Sequence, residues 1–339
     1  MHLELVVPAL IPAQDLAPNP VPPPTPALEM LLARGRRSVG TPDGLEAWLS
    51  RAFGQDGSTS VPAGALTAYA QGVDPGADCW LRADPVHLRA DRNSLLLMPN
   101  EAFSITGAEA QGLAAALGPL LAGKFELHPV RPDQWCLRIR DGVQCDASAK
   151  PPVDLAGANI DPHLPPKQWH PLLTELQMAL YENPANTARE QRGDPAINSL
   201  WLWGAGKLPA AARGPWQSVS ADDSVALGLA RLARMRHRAP GAGATEWLGR
   251  APEDGRHLVV LDGLRGAHAL GDLDALARHL LELESNWFAP LLAALKSRRI
   301  GMLTVHAPEA AASFETARGD LGRFWRRPRP LATYATEHA

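Results

Sequence analysis

Three short apolar runs, at residues 3–7, 257–261 and 300–305, constrain this chain most strongly. Each has the length of a strand and is apolar enough to be covered on both faces, as the strands of parallel sheets are. Helical signals accompany them. Leu273, Leu276, Leu280, Leu283 and Trp287 keep helical spacing, while Asp274, Arg278 and Glu282 point away from that stripe. Ser220 and Asp223 give another helix start, with Val225, Leu229 and Leu232 on one face. Strand and helix therefore alternate through the last third, where residues 199–203 are expected to add a further strand. The expected fold class is α/β, a mainly parallel sheet flanked by helices. Such sheets bind ligands beyond the carboxyl ends of their strands, so the loops after Val7, Trp203, Leu261 and Val305 matter most.

The first 55 residues carry two helix signals. Thr25 is expected to cap the first, Pro26 suits its first turn and Gly35 its stop; Thr41 and Pro42 repeat the start, and Gly54 closes the second. The proline-rich stretch at 18–26 reads as an extended connection. The middle of the chain changes character. Residues 85–88 and 94–98 look like paired strands, Thr106 with Glu109 forms a capping box, 125–130 and 135–139 read as two more strands, and a helix covers 171–181. This mixed order predicts an inserted α+β cap domain at 79–190, between a first core part at 1–78 and a second at 191–339.

Composition excludes several classes. The chain has 339 residues, a formal charge of −3 and 20% charged residues. Its densest basic cluster, Arg323, Arg326, Arg327 and Arg329, reads as a solvated end, so neither nucleic acid nor membrane is expected as a partner. No window approaches the roughly 18 apolar residues that span a bilayer. Cys79, Cys136 and Cys145 are too few and too scattered for a disulfide framework, which fits a reducing cytoplasm. No phosphate loop or dinucleotide fingerprint follows a strand.

The most specific stretch is Asn198-Ser-Leu-Trp-Leu-Trp-Gly204, followed by Gly206. On composition alone, Trp201 and Trp203 are core aromatics, and the two glycines form a tight turn. This block resembles the archaeal-type cofactor-independent phosphoglycerate mutases of the alkaline phosphatase superfamily. Gly72-Val-Asp-Pro75 looks like their G-Y-D-P turn, Ala239-Pro-Gly-Ala-Gly243 is similar to a later loop, and His268 with Gly271-Asp272 sits where they have histidine followed by G-D. More narrowly, Arg82-Ala-Asp-Pro-Val-His-Leu88 and the 198–204 block resemble the proteobacterial E-type regulators of pathogenicity factors. The resemblance implies an alkaline-phosphatase-like core with an inserted cap.

It also implies chemistry that these residues do not supply. The mutase reaction uses two divalent metals to clamp a phosphoryl group and a serine to accept it. Ala9 stands where the resemblance places the first metal-binding aspartate. Ala63 and Gly64 take the places of the nucleophile and the aspartate after it, and Leu264 and Val305 replace two later aspartates. Only His268 and His306 remain as candidate metal ligands, too few for zinc, which takes three or four. They read rather as polar residues at loop ends, because a lone histidine pair supplies too few ligands. Arg189, Arg192, Asn198, Trp203 and Lys207 are the candidate ligand-binding residues, the cations suited to a phosphorylated small molecule. The expectation is thus a degenerate mutase-like protein, without resident metal, that binds a ligand or a protein partner. The alternative is an active mutase or phosphatase using manganese or zinc. Its relocated ligands would come from Asp15, Asp43, Asp74, Asp262 and Asp272, and its nucleophile from Ser58, Thr59 or Ser60.

Overall fold

Leu3 and Leu5 are fully buried in the first strand, and the core of the larger part of the molecule is built on them. The structure, a computed structural model, describes residues 1–11, 22–55, 61–91, 94–140, 144–147, 150–252 and 254–334. It forms two compact units, Met1–Gly54 with Ala212–Ala339, and Gln55–Ala211. The first unit opens with β1 (His2–Val6), α1 (Pro26–Arg34), β2 (Arg36–Val39) and α2 (Leu45–Ala52). The second holds α3 (Ala63–Ala70), β3 (Cys79–Asp91), β4 (Ser94–Met98), α4 (Gly107–Leu121), β5 (Phe125–Arg131), β6 (Gln134–Ile139), α5 (His170–Tyr181), α6 (Pro184–Gln191) and β7 (Ser199–Gly206). The chain then returns with β8 (Ser218–Ser220), α7 (Ser224–Leu232), β9 (Arg236–Arg238), α8 (Ala244–Arg250) and β10 (Arg256–Val260). It ends with α9 (Leu264–Ala269), α10 (Leu273–Leu283), α11 (Ala289–Lys296), β11 (Met302–Ala307) and β12 (Ala312–Ala317).

The first unit is the expected α/β core. Its sheet runs β2-β12-β11-β1-β10-β8-β9. β1 is parallel to β10 and β11, β10 to β8, and β8 to β9; β12 is antiparallel to both of its neighbours. One sheet face buries Leu3, Leu5, Val259, Leu303, Val305 and Phe314 against α1, α10 and α11. The other face carries a polar line. Glu4 accepts from Arg256 Nε (3.0 Å) and Nη2 (2.6 Å) and lies 3.3 Å from His306 Nε2, and His2 pairs with Thr304 (2.9 Å). Although burial opposes the charge, these partners hold the Glu4 carboxyl down at about 2.

Helix ends show where local reading succeeds. Thr106 and Glu109 form the capping box, and Asp223 and Asp272 cap α7 and α10 through Ala226 N (2.7 Å) and Ala275 N (2.9 Å). Thr25, expected as a side-chain cap, makes no such bond. Instead Glu284, distant in sequence, accepts from Ala27 N (2.7 Å) and Leu28 N (3.1 Å). A wide turn at Glu284–Phe288, between α10 and α11, presents that carboxylate to the open amides of α1. The second helix begins after Gly44 rather than at Thr41.

The second unit is antiparallel, ordered β4-β3-β6-β5 with β7 also paired to β3. α4 and α5 cover it through Leu113, Leu117, Leu176 and Leu180. The strand expected to join the parallel core, β7, lies here and runs antiparallel to β3. α3 packs here as well, so the breaks between units fall at Gly54 and Ala212 rather than at 78/79 and 190/191. Gly204 and Gly206 do not form a tight turn. They lie within β7, and a Cβ on either would approach Ala63 Cβ to 2.5 Å or Pro62 Cβ to 2.7 Å. Cys79 and Cys145 are disulfide-paired, with Cα atoms 6.1 Å apart, and Cys136 is buried and free. Spacing in sequence could not show that proximity, and disulfides persist in oxidising surroundings, so cysteine content no longer argues for a reducing compartment. Among the described residues, no helix is long and apolar enough to cross a membrane.

Gly64 is the tightest contact in this unit: a Cβ there would lie 2.3 Å from the Leu81 carbonyl carbon. Gly64→Ala is expected to destabilise the protein by about 2–3 kcal/mol in urea unfolding. Gly112→Ala, in α4 with open space around it, is expected to stabilise by about 0.5–1 kcal/mol.

Candidate functional site

The five positions at which the resemblance calls for aspartates and a nucleophile are occupied by packed apolar residues. Ala9, Leu264 and Val305 belong to the hydrophobic core of the first unit, at 8%, 0% and 1% exposure. Ala9 holds a left-handed backbone (φ 58°), and its amide donates to Glu309 Oε2 (3.1 Å). In the second unit, Ala63 is fully buried against Gly204, and Gly64 rests on the Leu81 backbone. These positions present no metal donor side chain. At 64, moreover, an aspartate Cβ would collide with main chain, not with a movable side chain. The residues present do not fit a dimetal site.

The retained histidines have other surroundings. His306 Nδ1 pairs with Ser313 Oγ (2.7 Å), and its ring packs against Trp48 with centroids 4.9 Å apart. His306 is thus bound into the Glu4 line on the sheet face. His268 is half-buried on α9, and burial lowers its pKa. Among the described residues, no group of three or more His, Cys, Asp or Glu side chains could hold a metal ion. The relocated-ligand candidates serve local roles. Asp43 pairs with Arg51, Asp74 accepts from Gly76 N (3.0 Å), and Asp272 caps α10. Asp15, Ser58, Thr59 and Ser60 lie outside the described residues.

The five candidate ligand-binding residues also have separate tasks. Arg189 is fully buried and donates to Pro195 O (2.9 Å), Ser104 O (2.9 Å) and Glu109 Oε1 (3.2 Å). Arg192 Nη2 reaches the same Glu109 oxygen (2.6 Å). The Asn198 side chain accepts from Leu88 N and donates to Leu88 O, both at 2.8 Å. Trp203 Nε1 donates to buried Asp84 (2.6 Å), whose other oxygen takes Arg82 Nε (2.9 Å) and Nη2 (2.6 Å). Lys207 is exposed just past β7. The two arginines meet at Glu109, while Asn198 and Trp203 bond to Leu88 and Asp84.

Local reading singled out Asp262 and the loop after Leu261 but missed the acidic cluster that Asp262 joins in the first unit. Beyond the carboxyl ends of β8 and β10, Asp222 and Asp262 line a cleft of about 260 Å³ together with Gly241, His279, Glu282 and Trp287. Asp223 stands beside this cleft as the α7 cap. Burial, and then the charges of Glu46 and Asp262, push its carboxyl up to about 7. Burial also raises Asp262, against the pull of Arg265. Arg265 grips Glu46 with both terminal nitrogens (2.8 and 3.2 Å). The Asp222–Asp223 doublet was the available signal, but a cap motif alone does not reveal the Glu46 and Asp262 charges.

The comparisons agree with the resemblance on fold. A probable phosphoglycerate mutase of Geobacter sulfurreducens, of the 2,3-bisphosphoglycerate-independent kind, is 31% identical over 198 residues, covering 55% of this chain and 49% of that protein. The Methanosarcina barkeri enzyme of the same name is 26% identical over 198 residues, with the same coverage. The chain is similar in sequence to cofactor-independent phosphoglycerate mutases. It spans about half the length of the curated relatives it matches. A solved protein of Pyrococcus horikoshii matches 93% of this chain and 87% of its own, at 14% identity and a TM-score of 0.52. No family model matches the chain. The fold is the expected α/β arrangement, with a mostly parallel sheet flanked by helices.

Asp223 provides a pH test. Its folded carboxyl titrates near 7, against about 3.9 for an unfolded aspartate. Folding is therefore favoured by its proton at low pH, and that contribution is lost as pH rises from about 4 through 7. Asp223→Asn keeps the cap and removes the titration. The variant should gain roughly 1–2 kcal/mol over the parent between pH 5 and pH 8, less than the full shift because the carboxylate partly meets solvent. Thermal melts of both proteins across that range check this, and parallel curves would refute it.

Proposed function

We propose that this chain is a phosphoglycerate-mutase-like protein that lacks dimetal phosphoryl transfer and works by binding a ligand or a protein partner. A regulatory role, as the resemblance to the E-type regulators suggests, belongs to the same reading. The observation that carries it is the packing of Ala9, Ala63, Gly64, Leu264 and Val305. An ordinary loss of one ligand leaves a polar hole. Here all five positions are buried, and three of them belong to the main core. Hard divalent cations need oxygen and imidazole donors held in a fixed shell, and packed alanine, glycine, leucine and valine supply none. Similarity of fold does not restore the activity, because function resides in the site.

Metal analysis of protein purified without chelators, run beside a coupled assay on 3-phosphoglycerate with added manganese, tests the reading. The expected result is metal well below one ion per chain and no turnover above the blank. A tightly held ion pair with manganese-dependent turnover would overturn the proposal in favour of relocated ligands.

A further inference from the structure

Residues 323–329 are not a loose, solvated end. Arg323 Nη1 donates to Arg34 O (3.0 Å) and Arg326 Nη1 to Gly35 O (2.8 Å), while Arg34 Nη1 donates to Leu321 O (2.5 Å). The carbonyls of Arg34 and Gly35 close α1, where unpaired acceptors and the negative end of the helix dipole favour cations. Beyond the segment, Leu331 and Tyr334 are buried in the core of the first unit. A turn closes between the two anchoring arginines, with Arg326 N donating to Arg323 O (3.0 Å). Its two central residues are Phe324 and Trp325, which are 78% and 67% exposed. Turn centres normally carry glycine, proline, asparagine, aspartate or serine. Here two large rings are held in water on a fixed backbone, and neither belongs to the core.

The charge around these rings is one-sided. Residues 318–329 contain five arginines and one aspartate, in a chain whose formal charge is −3. Asp320 pairs with Arg323 (2.7 Å). Arg318, Arg326, Arg327 and Arg329 are exposed. The excess belongs to the segment as a whole and does not require any one arginine to lack a partner. Aromatic tips carried among cations match the boundary of an anionic bilayer. Its headgroups attract arginines, and its interface takes up tryptophan and phenylalanine. A single-stranded nucleic acid fits less well. Successive stacked bases need ring faces that are close to parallel, whereas the Phe324 and Trp325 planes stand 81° apart, edge to face, with centroids 5.3 Å apart. Immersion in lipid makes no such demand on ring orientation.

We infer that the Arg323–Arg326 turn is a peripheral membrane contact. Phe324 and Trp325 enter the interface of an anionic bilayer, and the surrounding arginines hold its headgroups. The contact needs no membrane-spanning element, and it does not depend on whether mutase chemistry is lost. Co-sedimentation of the full chain with vesicles tests it, using phosphatidylcholine alone and phosphatidylcholine with about one-third phosphatidylglycerol. Binding to the anionic vesicles should be about tenfold tighter or more, and should weaken as NaCl is raised from about 0.1 to 0.5 M. The double variant Phe324→Ala/Trp325→Ala should lose about tenfold, and Arg327→Ala about fivefold. Tyr181→Ala, which removes a comparably exposed ring (84%) from the second unit, should change nothing. All of these side chains are exposed, and circular dichroism verifies that the variants fold. Equal binding to neutral and anionic vesicles, no binding to either, or binding indifferent to the double substitution would overturn the inference. So would tighter binding to a single-stranded oligonucleotide than to anionic vesicles in the same buffer, which would assign the turn to nucleic acid.

Discussion

Helix α3 rests on β3 and β7 at backbone contact distance, and much of the second unit follows from that approach. Gly64 sits on the main chain of Leu81, Ala63 fills the space left by Gly204, and Pro62 fills that left by Gly206. Three small positions on two elements are therefore one interface. A side chain at 64 or 204 would lift the helix off the sheet. Lifting it would also break the contact of Thr67 with Arg82 Nη1 (3.2 Å), and with it a buried network through Asp84 to Trp203. Buried charge is tolerable when it is paired and hydrogen-bonded in this way, and costly when a partner is removed. The contact that excludes an aspartate from 64 is thus also the contact that keeps this charge network closed.

The same ladder gives physical content to the sequence resemblance. The two phrases that carried it most narrowly, residues 82–88 and 198–204, are neighbouring strands paired in register. Arg82 stands opposite Trp203, Asp84 opposite Trp201 and Val86 opposite Ser199. Asn198 extends the pairing by bonding both backbone groups of Leu88. Residues that look like a ligand-binding signature in one dimension are, in three, the means of holding two strands and a helix together. Tryptophan, arginine and asparagine suit either purpose, and only their partners decide between them.

Where local chemistry fixed the outcome, the sequence was readable. The parallel strands β1, β10 and β11 announced themselves as short apolar runs, the starts of α4 and α7 as Thr106 and Asp223, and the strand pair of β3 and β4 as adjacent apolar stretches. Readings failed where a distant residue intervened. Glu284 caps α1 from the far side of the chain, Cys145 meets Cys79, and β7 joins β3 rather than the parallel sheet. The site followed the same rule. The absence of aspartates at the expected positions is plain in one dimension. That those positions are closed by packing, and that Asp223 is coupled to Glu46 and Asp262, depends on neighbours hundreds of residues away or in other elements.

Electrostatics then limit what the acidic cleft of the first unit can accept. In a dimetal enzyme, divalent cations convert a carboxylate-rich cleft into an anion acceptor, because each ion outweighs the charges that hold it. Here the cleft beyond β8 and β10 carries Asp222, Asp262 and Glu282 on its walls, while Ala9, Leu264 and Val305 are packed in the core. Without the cations, such a cleft repels phosphate. Burial already raises the carboxyls of Asp223 and Asp262 there, and for Asp223 the charges of Glu46 and Asp262 add to it.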